Sequence, residues 1–478
     1  RWQLGRPKDS YAGLAITIRK LYGICRFATT KVDISIAESS FRYQSENRFN
    51  MSVSAELRVL CHQLSSTPIA QLPQITPLLL RHVLRCRAPL SAPSGNAAKV
   101  DASETSVLVH KLKTHVSTLL NGKSIEGKFV AVVLIKGLVD VGGWEVLRTA
   151  EPWVRGLLAI VTVSLSRIRS IAILMPVQKP QDPVASKKLA IITLTTIYVQ
   201  TQQYQSLTRE ITTPTLPAFV TSSLNLIISK SNKVTEAPAS LIAAIFDSFS
   251  TLMPRHPAIF RPFAGQIRKV TSAYIAPTFT DARFIPESLK EKSRTLAVFV
   301  NQTAPKNTSG EEWGKSIRAV VKDIHTTTDQ VFRAVVEDWE SSVGYVPQPV
   351  DVNRPLSGGG ATKEDYPAWS GIDAGLERLT GLVAYLEAHF QAHTATQVTV
   401  PIGTIDDLLS RLMSVAPPIS KSGASHGAMR LHPGISREER EGLWAGLPAI
   451  HVAVMSVYST LISRFGTQFV SLAQGALE

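Results

Sequence analysis

Residues 109–139, VHKLKTHVSTLLNGKSIEGKFVAVVLIKGLV, decide the fold of this 478-residue chain because they hold two apolar patterns of helical period. In each segment the apolar side chains recur every three or four residues, which places them on one face of a helix. The positions concerned are Val109, Leu112, Val116 and Leu119 in the first segment, and Val132, Ile135, Leu138 and Val139 in the second. The stretch therefore predicts two amphipathic helices in succession.

The junction between these helices, Gly122-Lys123-Ser124, has the last three residues of a phosphate-binding loop. The full motif, G-x-x-x-x-G-K-[ST], needs its first glycine at position 117, where this chain has a serine. That motif also follows a buried strand, whereas an amphipathic helix precedes this one. We therefore interpret the stretch as a helix junction. Gly122 ends one helix in a left-handed cap, and Ser124 begins the next.

Prolines mark the starts of further predicted helices, because a proline in the first turn loses no hydrogen bond. The pairs that precede apolar-periodic runs are Asp182-Pro183, Thr213-Pro214, Ala237-Pro238, His256-Pro257 and Ile285-Pro286. Alternate prolines (183 to 238, 214 to 257, 238 to 286) lie 55, 43 and 48 residues apart, near the ~40–47 residue period of HEAT and armadillo helix pairs. No segment shows a convincing strand alternation. The predicted fold is an all-α solenoid of helix-pair, HEAT/armadillo-like repeats.

Breaks in the helical pattern predict the domain organisation. We expect an N-terminal helical-repeat domain over residues 51–343 and a second helical block over 372–478. Between them, residues 344–371 contain several prolines and three consecutive glycines, which is typical of a flexible linker or loop. Residues 1–50 show no sustained periodicity and form a doubtful extension.

Composition favours an intracellular binding protein. The formal net charge of +14 predicts a surface that attracts polyanions, RNA above all, although the charge is spread rather than concentrated in one block. The three cysteines lack a disulfide or metal-binding spacing, which fits a reducing compartment. The longest apolar candidates are interrupted by Lys136 and by Arg167 and Arg169, so we expect no membrane span.

The remaining motifs favour structural interpretations. Gly423-Ala424-Ser425-His426-Gly427 matches the nucleophile-elbow pattern, but a proline-rich loop precedes it instead of a strand. We interpret Lys187-Lys188 as a solvated helix face and His82 with Cys86 as packing. The tryptophans are expected in the core, with base stacking beside Arg148 and Arg155 as the alternative. We expect no catalytic residue, no metal site and no cofactor.

Several strings resemble the Rix/PELP family, the scaffold subunits of the fungal Rix complex and of its animal counterpart, the proline-, glutamate- and leucine-rich protein. The similarity covers about residues 51–470. The strings are Leu119 to Ser124 with Gly127-Lys128, Gly142-Gly143-Trp144-Glu145-Val146-Leu147, Glu151-Pro152-Trp153-Val154, Asp182 to Lys188, and Glu438 to Pro448.

The resemblance implies a non-enzymatic scaffold of a nuclear pre-ribosomal complex. Its expected role is large-subunit rRNA processing, including removal of the internal transcribed spacer, and subunit maturation and export. It implies as partners a WD-propeller subunit, a second helical-repeat subunit, a midasin-type AAA ATPase and the pre-large-subunit particle, with nonspecific rRNA contact and a homodimeric core. The implied location is the nucleolus and nucleoplasm, without a membrane. The family's acidic C-terminal tail is not found in these 478 residues.

Two segments depart from the family pattern. Met51 begins MSVSAELRVL, which has the character of a start, so residues 1–50 are expected to be translated upstream sequence. Residues 161–177, VTVSLSRIRSIAILMPV, are interpreted as a non-native insertion such as a retained intron.

An alternative function from another class is a HEAT-repeat transport or trafficking receptor that binds protein cargo. An acidic concave face would favour the receptor, whereas the net charge of +14 favours the scaffold.

Overall fold

A computed structural model describes residues 53–92, 100–162, 184–228, 237–281, 283–305, 308–359, 366–416 and 430–466 of the chain. Across these residues the fold is almost entirely helical, as predicted. The expectations for residues 1–50, for most of the suspected insertion (163–177) and for Ser425 concern parts of the chain outside the described residues.

Seventeen α-helices occur in the described residues. In chain order they are α1 Val53–Ser66, α2 Leu72–Arg85, α3 Arg87–Ser91, α4 Val100–Asn121, α5 Ile125–Leu147, α6 Glu151–Thr162, α7 Val184–Thr201, α8 Gln205–Leu207, α9 Thr213–Ile227, α10 Ala239–Leu252, α11 Pro257–Phe260, α12 Ala264–Ile275, α13 Glu287–Phe299, α14 Ser309–Val331, α15 Ile372–Gln391, α16 Ile402–Ser414 and α17 Arg437–Phe465. Short 3-10 turns lie at Ile69–Gln71, Arg261–Phe263 and Val300–Thr303, and a π turn lies at Thr208–Thr212.

The long helices form seven pairs arranged in two layers. Layer one contains α1, α4, α6, α9, α12, α14 and α16, and each packs against its successor in layer two, which contains α2, α5, α7, α10, α13, α15 and α17. Every layer-two helix also contacts the next one in that layer, so the stack is continuous from α2 to α17. This is the helix-pair solenoid that the sequence predicted.

The predicted proline starts agree with the observed helices. Pro238 and Pro286 are the N-caps of α10 and α13, and Pro257 is the first residue of α11. Pro214 lies in the first turn of α9, while Pro183 is outside the described residues. Because α7, α10 and α13 begin at residues 184, 239 and 287, the 55- and 48-residue spacings are those of layer two.

Two hydrophobic clusters share the interior. The first cluster runs from Leu57 to Val300 and the second from Ile275 to Leu461, and the side chain of Phe299 packs against both. They therefore meet at α12 and α13, and α14 belongs to the second cluster. The hydrophobic core thus divides at α12 and α13, while the domain bounds at residues 343 and 372 stay a prediction.

The described residues of the connector between α14 and α15, 332–359 and 366–371, are irregular apart from three strands of two residues each. β1 (Val335–Val336) pairs with β4 (Arg430–Leu431), and β2 (Ser357–Gly358) pairs with β3 (Trp369–Ser370). The sequence did not predict these strands, since two residues are too few to show an alternation.

A buried arginine fixes one part of this connector. Arg411 of α16 is fully buried, and its Nη2 donates to Oδ1 of Asp329 at 2.6 Å and to Oε1 of Glu337 at 2.7 Å. The other oxygen of Asp329 accepts from the Tyr345 hydroxyl at 2.7 Å. The guanidinium carbon also lies 5.1 Å from the Trp339 ring centroid. We call Arg411, Asp329 and Glu337 the arginine hub, and it holds the connector against α14 and α16.

A kink in α5 accounts for the Gly142-Gly143 pair. Gly143 has φ 53° and ψ −136°. This conformation lies outside the helical region, and its positive φ favours glycine. A Cβ atom at Gly142 would overlap the Val146 side chain. Both glycines are therefore needed for the helix to turn at this point, immediately before Trp144.

Candidate interaction surfaces

The Gly122-Lys123-Ser124 stretch is the junction between α4 and α5. Ser124 is the N-cap of α5, and its Oγ accepts a hydrogen bond from the Gly127 amide at 3.2 Å. The Gly122 amide donates to the Leu119 carbonyl at 3.3 Å, and Gly122 does not have a positive φ. The predicted junction is confirmed, but the left-handed cap is wrong, since a tight turn closes α4 instead. The surroundings are those of a helix cap and not of a nucleotide-binding loop.

A groove of about 690 Å³ lies beside this junction, between α4 and α6. At its floor, Trp153 Nε1 donates to Ser117 Oγ at 2.8 Å, and Lys113 Nζ donates to Thr149 Oγ1 at 2.8 Å. Burial lowers the pKa of Lys113 despite the nearby Glu145 carboxylate. These polar groups therefore satisfy one another and hold α4 against α6 and the turn that precedes it.

The tryptophans are placed largely as predicted. Trp153, Trp313 and Trp369 are buried in the two clusters. Trp144 is half-buried with its ring centroid 4.8 Å from that of Tyr204. Their basic neighbours pair with acids of their own helices, because Arg148 contacts Glu145 and Arg155 contacts Glu151. The arrangement supports packing over base stacking.

Lys187 is not on a solvated face, so that interpretation was wrong. Its side chain is buried, and its Nζ donates to the Ile160 carbonyl of α6 at 2.7 Å. Lys188 is half-buried. A lysine can be buried in this way when its ammonium reaches a backbone carbonyl beyond its apolar stem.

His82 and Cys86 pack in the first cluster. His82 Nδ1 lies 2.5 Å from Glu56 Oε2, and burial, with a contribution from the Glu56 charge, raises the pKa of the Cys86 thiol to about 12. Such a thiol is not nucleophilic at neutral pH. Within the described residues there is no group of three or more His, Cys, Asp or Glu placed to hold a metal ion.

The last helix presents an apolar face to solvent. Ser436 caps α17, its Oγ accepting from the Glu439 amide at 3.2 Å, and one side of the helix packs into the second cluster. The opposite side forms what we call the α17 stripe, in which exposed residues recur every three or four positions. The stripe consists of Ala445, Ala449, Val452, Met455, Ser459 and Ile462. Val452 is 70% exposed.

The α17 stripe contains no charge, since residues 442–463 include no Asp, Glu, Lys or Arg. Among the described helices, α17 is the one that is long and apolar enough to cross a membrane by length and composition. This segment was not among the apolar stretches that the sequence singled out. The buried side of α17 lies on α15, so α17 is the last helix of layer two among the described residues, and its exposed side is a surface suited to a protein partner.

Comparisons with known proteins agree with this architecture. Residues 56–282 match the RIX1 family, described as rRNA processing and ribosome biogenesis. No curated protein matches the chain. Among solved structures, the fold is similar to a chain of the Rix1-subcomplex of the Rix1-Rea1 pre-60S particle, with a TM-score of 0.61 and 14% identity. The match covers 88% of this chain and 66% of the other, so the present chain corresponds to about two thirds of that protein.

Proposed function

We propose that this chain, a member of the RIX1 family over residues 56–282, is a non-enzymatic scaffold of a nuclear pre-ribosomal complex that matures the large ribosomal subunit. The observation that carries the proposal is that the family match covers the first helix pairs of one continuous two-layer stack. Helical-repeat stacks present extended surfaces on which several proteins assemble. The role in rRNA processing is then to hold processing and remodelling factors on the precursor particle.

The non-enzymatic part of the proposal is supported by where the candidate motif residues lie. The Gly122-Lys123-Ser124 stretch joins two helices, and the buried thiol of Cys86 has a raised pKa. The hydrogen-bonded groups around Lys113 and Trp153 serve to join helices. Any hydrolysis of ATP in the complex would therefore belong to a partner.

The partners we propose are a WD-propeller subunit, a second helical-repeat subunit and a midasin-type AAA ATPase, all acting on the pre-large-subunit particle in the nucleolus and nucleoplasm. The similarity in fold to a chain of a pre-60S particle supports this set. The net charge of +14 adds nonspecific attraction to rRNA, which we expect to weaken as salt concentration rises.

We further propose that the chain forms a homodimer through the α17 stripe. A stripe of small and apolar side chains lets two copies of the same helix approach closely. Around a two-fold axis at Val452, an antiparallel pair of helices brings the acidic start of one α17, at Glu441, near the Arg464 end of the other. Charge complementarity at both ends therefore favours a second copy as the occupant.

Affinity purification of the tagged full chain from nuclear extract tests the scaffold function. We expect large-subunit rRNA precursors and a WD-propeller protein to be recovered together. Recovery of transport cargo without pre-ribosomal RNA would instead contradict the scaffold and support the receptor alternative.

Sedimentation of the purified chain tests the dimer. We expect Val452→Glu to convert a dimer into a monomer without changing helical content. Val107→Glu is the matched control, because Val107 is also exposed (64%) but lies on α4. A monomeric wild-type chain, or a dimer that survives Val452→Glu, would refute this interface.

A further inference from the structure

A second buried arginine lies in surroundings unlike those of the arginine hub. Arg378 of α15 is 1% exposed, its guanidinium lies 5.5 Å from the Tyr366 ring centroid, and its Nη2 donates to the Pro367 carbonyl at 3.0 Å. Its buried Nε has no hydrogen-bond partner. Among the described residues, no carboxylate lies within ion-pair distance of it. Arg411, by contrast, binds two carboxylates.

With only these described partners, burial of the positive charge of Arg378 is energetically unfavourable. A charge taken out of water needs an opposite charge or a full set of hydrogen bonds, and an unpaired one is strongly destabilising. Burial lowers the pKa of Arg378, and the Asp281 charge opposes this only at a distance. A guanidinium with a free Nε is suited to an oxyanion, because it donates in a fixed planar fork.

Arg378 lines a cavity that is large enough for such a ligand. The cavity measures about 450 Å³ and lies between α12, α13, α14 and α15. Asn301, which is 5% exposed, also lines it and has a buried Nδ2 without a partner. The exposed Arg268 adds a second positive charge to the lining. Asp323 adds a carboxylate, which already interacts with another group of the protein.

We propose that this cavity binds a terminal phosphate of single-stranded RNA. The phosphate oxygens would accept from Arg378 Nε or Asn301 Nδ2, the two unpartnered buried donors of the lining, while Arg268 attracts the strand. The proposal rests on the proposed function, which brings the chain to precursor rRNA. Because Arg378 is buried, we expect the end of a single strand to enter the cavity more readily than the backbone of a duplex. An acidic segment of a protein is the competing ligand, because the same two arginines would attract its carboxylates. The proposed function favours RNA over such a segment, since it brings the chain to precursor rRNA.

Fluorescence anisotropy with short labelled RNAs tests the site. We expect RNA with a 5′- or 3′-terminal phosphate to bind between about 10- and 100-fold more tightly than the same RNA with hydroxyl ends, as charge-assisted hydrogen bonds predict. Arg378→Met should remove the difference without loss of thermal stability, because it removes a buried charge that has no carboxylate partner among the described residues. Arg268→Glu, an exposed change that leaves the core intact, should reduce it, and the neighbouring Lys269→Glu should not.

Two further probes distinguish the sources of the anion. Competition by inorganic phosphate alone would support a phosphate pocket and show whether free phosphate is a ligand. Equal affinity for phosphate and hydroxyl ends would overturn the proposal. So would an acidic peptide that binds in an Arg378-dependent manner when the RNA ends make no difference. Copurification of the Arg378→Met variant with large-subunit precursors separates the two proposals. The scaffold function is supported if the variant copurifies and contradicted if it does not, whatever the affinity for RNA ends shows about the pocket.

Discussion

The two hydrophobic clusters differ in the charged side chains that they bury between their helix pairs. In helices α1 to α10, which belong to the first cluster alone, the fully buried ionic side chain among the described residues is Lys187, which bonds to a backbone carbonyl. The second cluster buries Arg378, Arg411, Asp329 and Asp407. Repetition of apolar faces is sufficient for the first, whereas the second uses charges to fix a long irregular connector. This difference predicts that mutations and changes of pH affect the stability of the two clusters differently.

The arginine hub should give the largest effect. Arg411→Ala leaves Asp329 and Glu337 without their common partner, and removing one member of a buried ion pair costs about 3–5 kcal/mol. We expect this loss in the free energy of unfolding measured by urea titration, with Trp339 fluorescence reporting on the second cluster. The matched control is Arg354→Ala, whose exposed pair with Asp351 should contribute less than about 0.5 kcal/mol. Similar small losses for both variants would show that the hub does not stabilise the second cluster.

Acid should also distinguish the clusters. Burial, with the Arg411 charge adding to it for His325, lowers the pKa of His325 and of His389 to about 4, against a usual 6.5. The unfolded chain then takes up protons near pH 6.5 that the folded chain accepts only near pH 4. Stability is therefore full above pH 6.5 and falls as the pH decreases toward 4, by on the order of 3 kcal/mol per histidine.

The groups that face His325 are Arg411, which donates to its Nδ1 at 3.1 Å, and the carboxylates of Asp329 and Asp407. His389 accepts from the Ser316 hydroxyl and donates to the Tyr385 carbonyl. In urea titrations between pH 7 and pH 4.5, His389→Gln should reduce the slope of unfolding free energy against pH by about one proton. An unchanged slope would mean that His389 is charged in the folded chain.

The α5 kink tests a local feature of the first cluster. Gly143→Ala forces an alanine to a positive φ, and we expect a loss of about 1–3 kcal/mol in the free energy of unfolding. Gly265→Ala on α12 is the control, because a Cβ there meets no atom within 4 Å and φ is not positive, so up to about 1 kcal/mol of stability is gained. A neutral result at Gly143 would show that α5 straightens without cost.

The same contrast explains what the sequence could predict. The helix pairs of the first cluster can be predicted from apolar spacing and from prolines in first turns, because each pattern involves residues only one or two helical turns apart in the sequence. The arginine hub joins Arg411 to residues 74 and 82 positions earlier in the chain, and no local pattern indicates such a pairing. Lys187 was misassigned for a similar reason, because its partner carbonyl belongs to α6. The α17 stripe was detectable from the uncharged run 442–463, but its orientation depends on which side α15 covers.

The smallest predicted effect concerns two equivalent helix caps, one in each cluster. The Oγ atoms of Ser124 and Ser436 each accept from a backbone amide three residues later at 3.2 Å. Ser124→Ala and Ser436→Ala should each reduce the free energy of unfolding by about 1 kcal/mol, and Asn at either position should restore most of the loss. If the clusters differ only through their buried charges, the two losses agree when measured by urea titration at pH 7. A clearly larger loss at Ser436 would place part of the difference in α17 itself, because its cap would then also hold the last described helix of the stack.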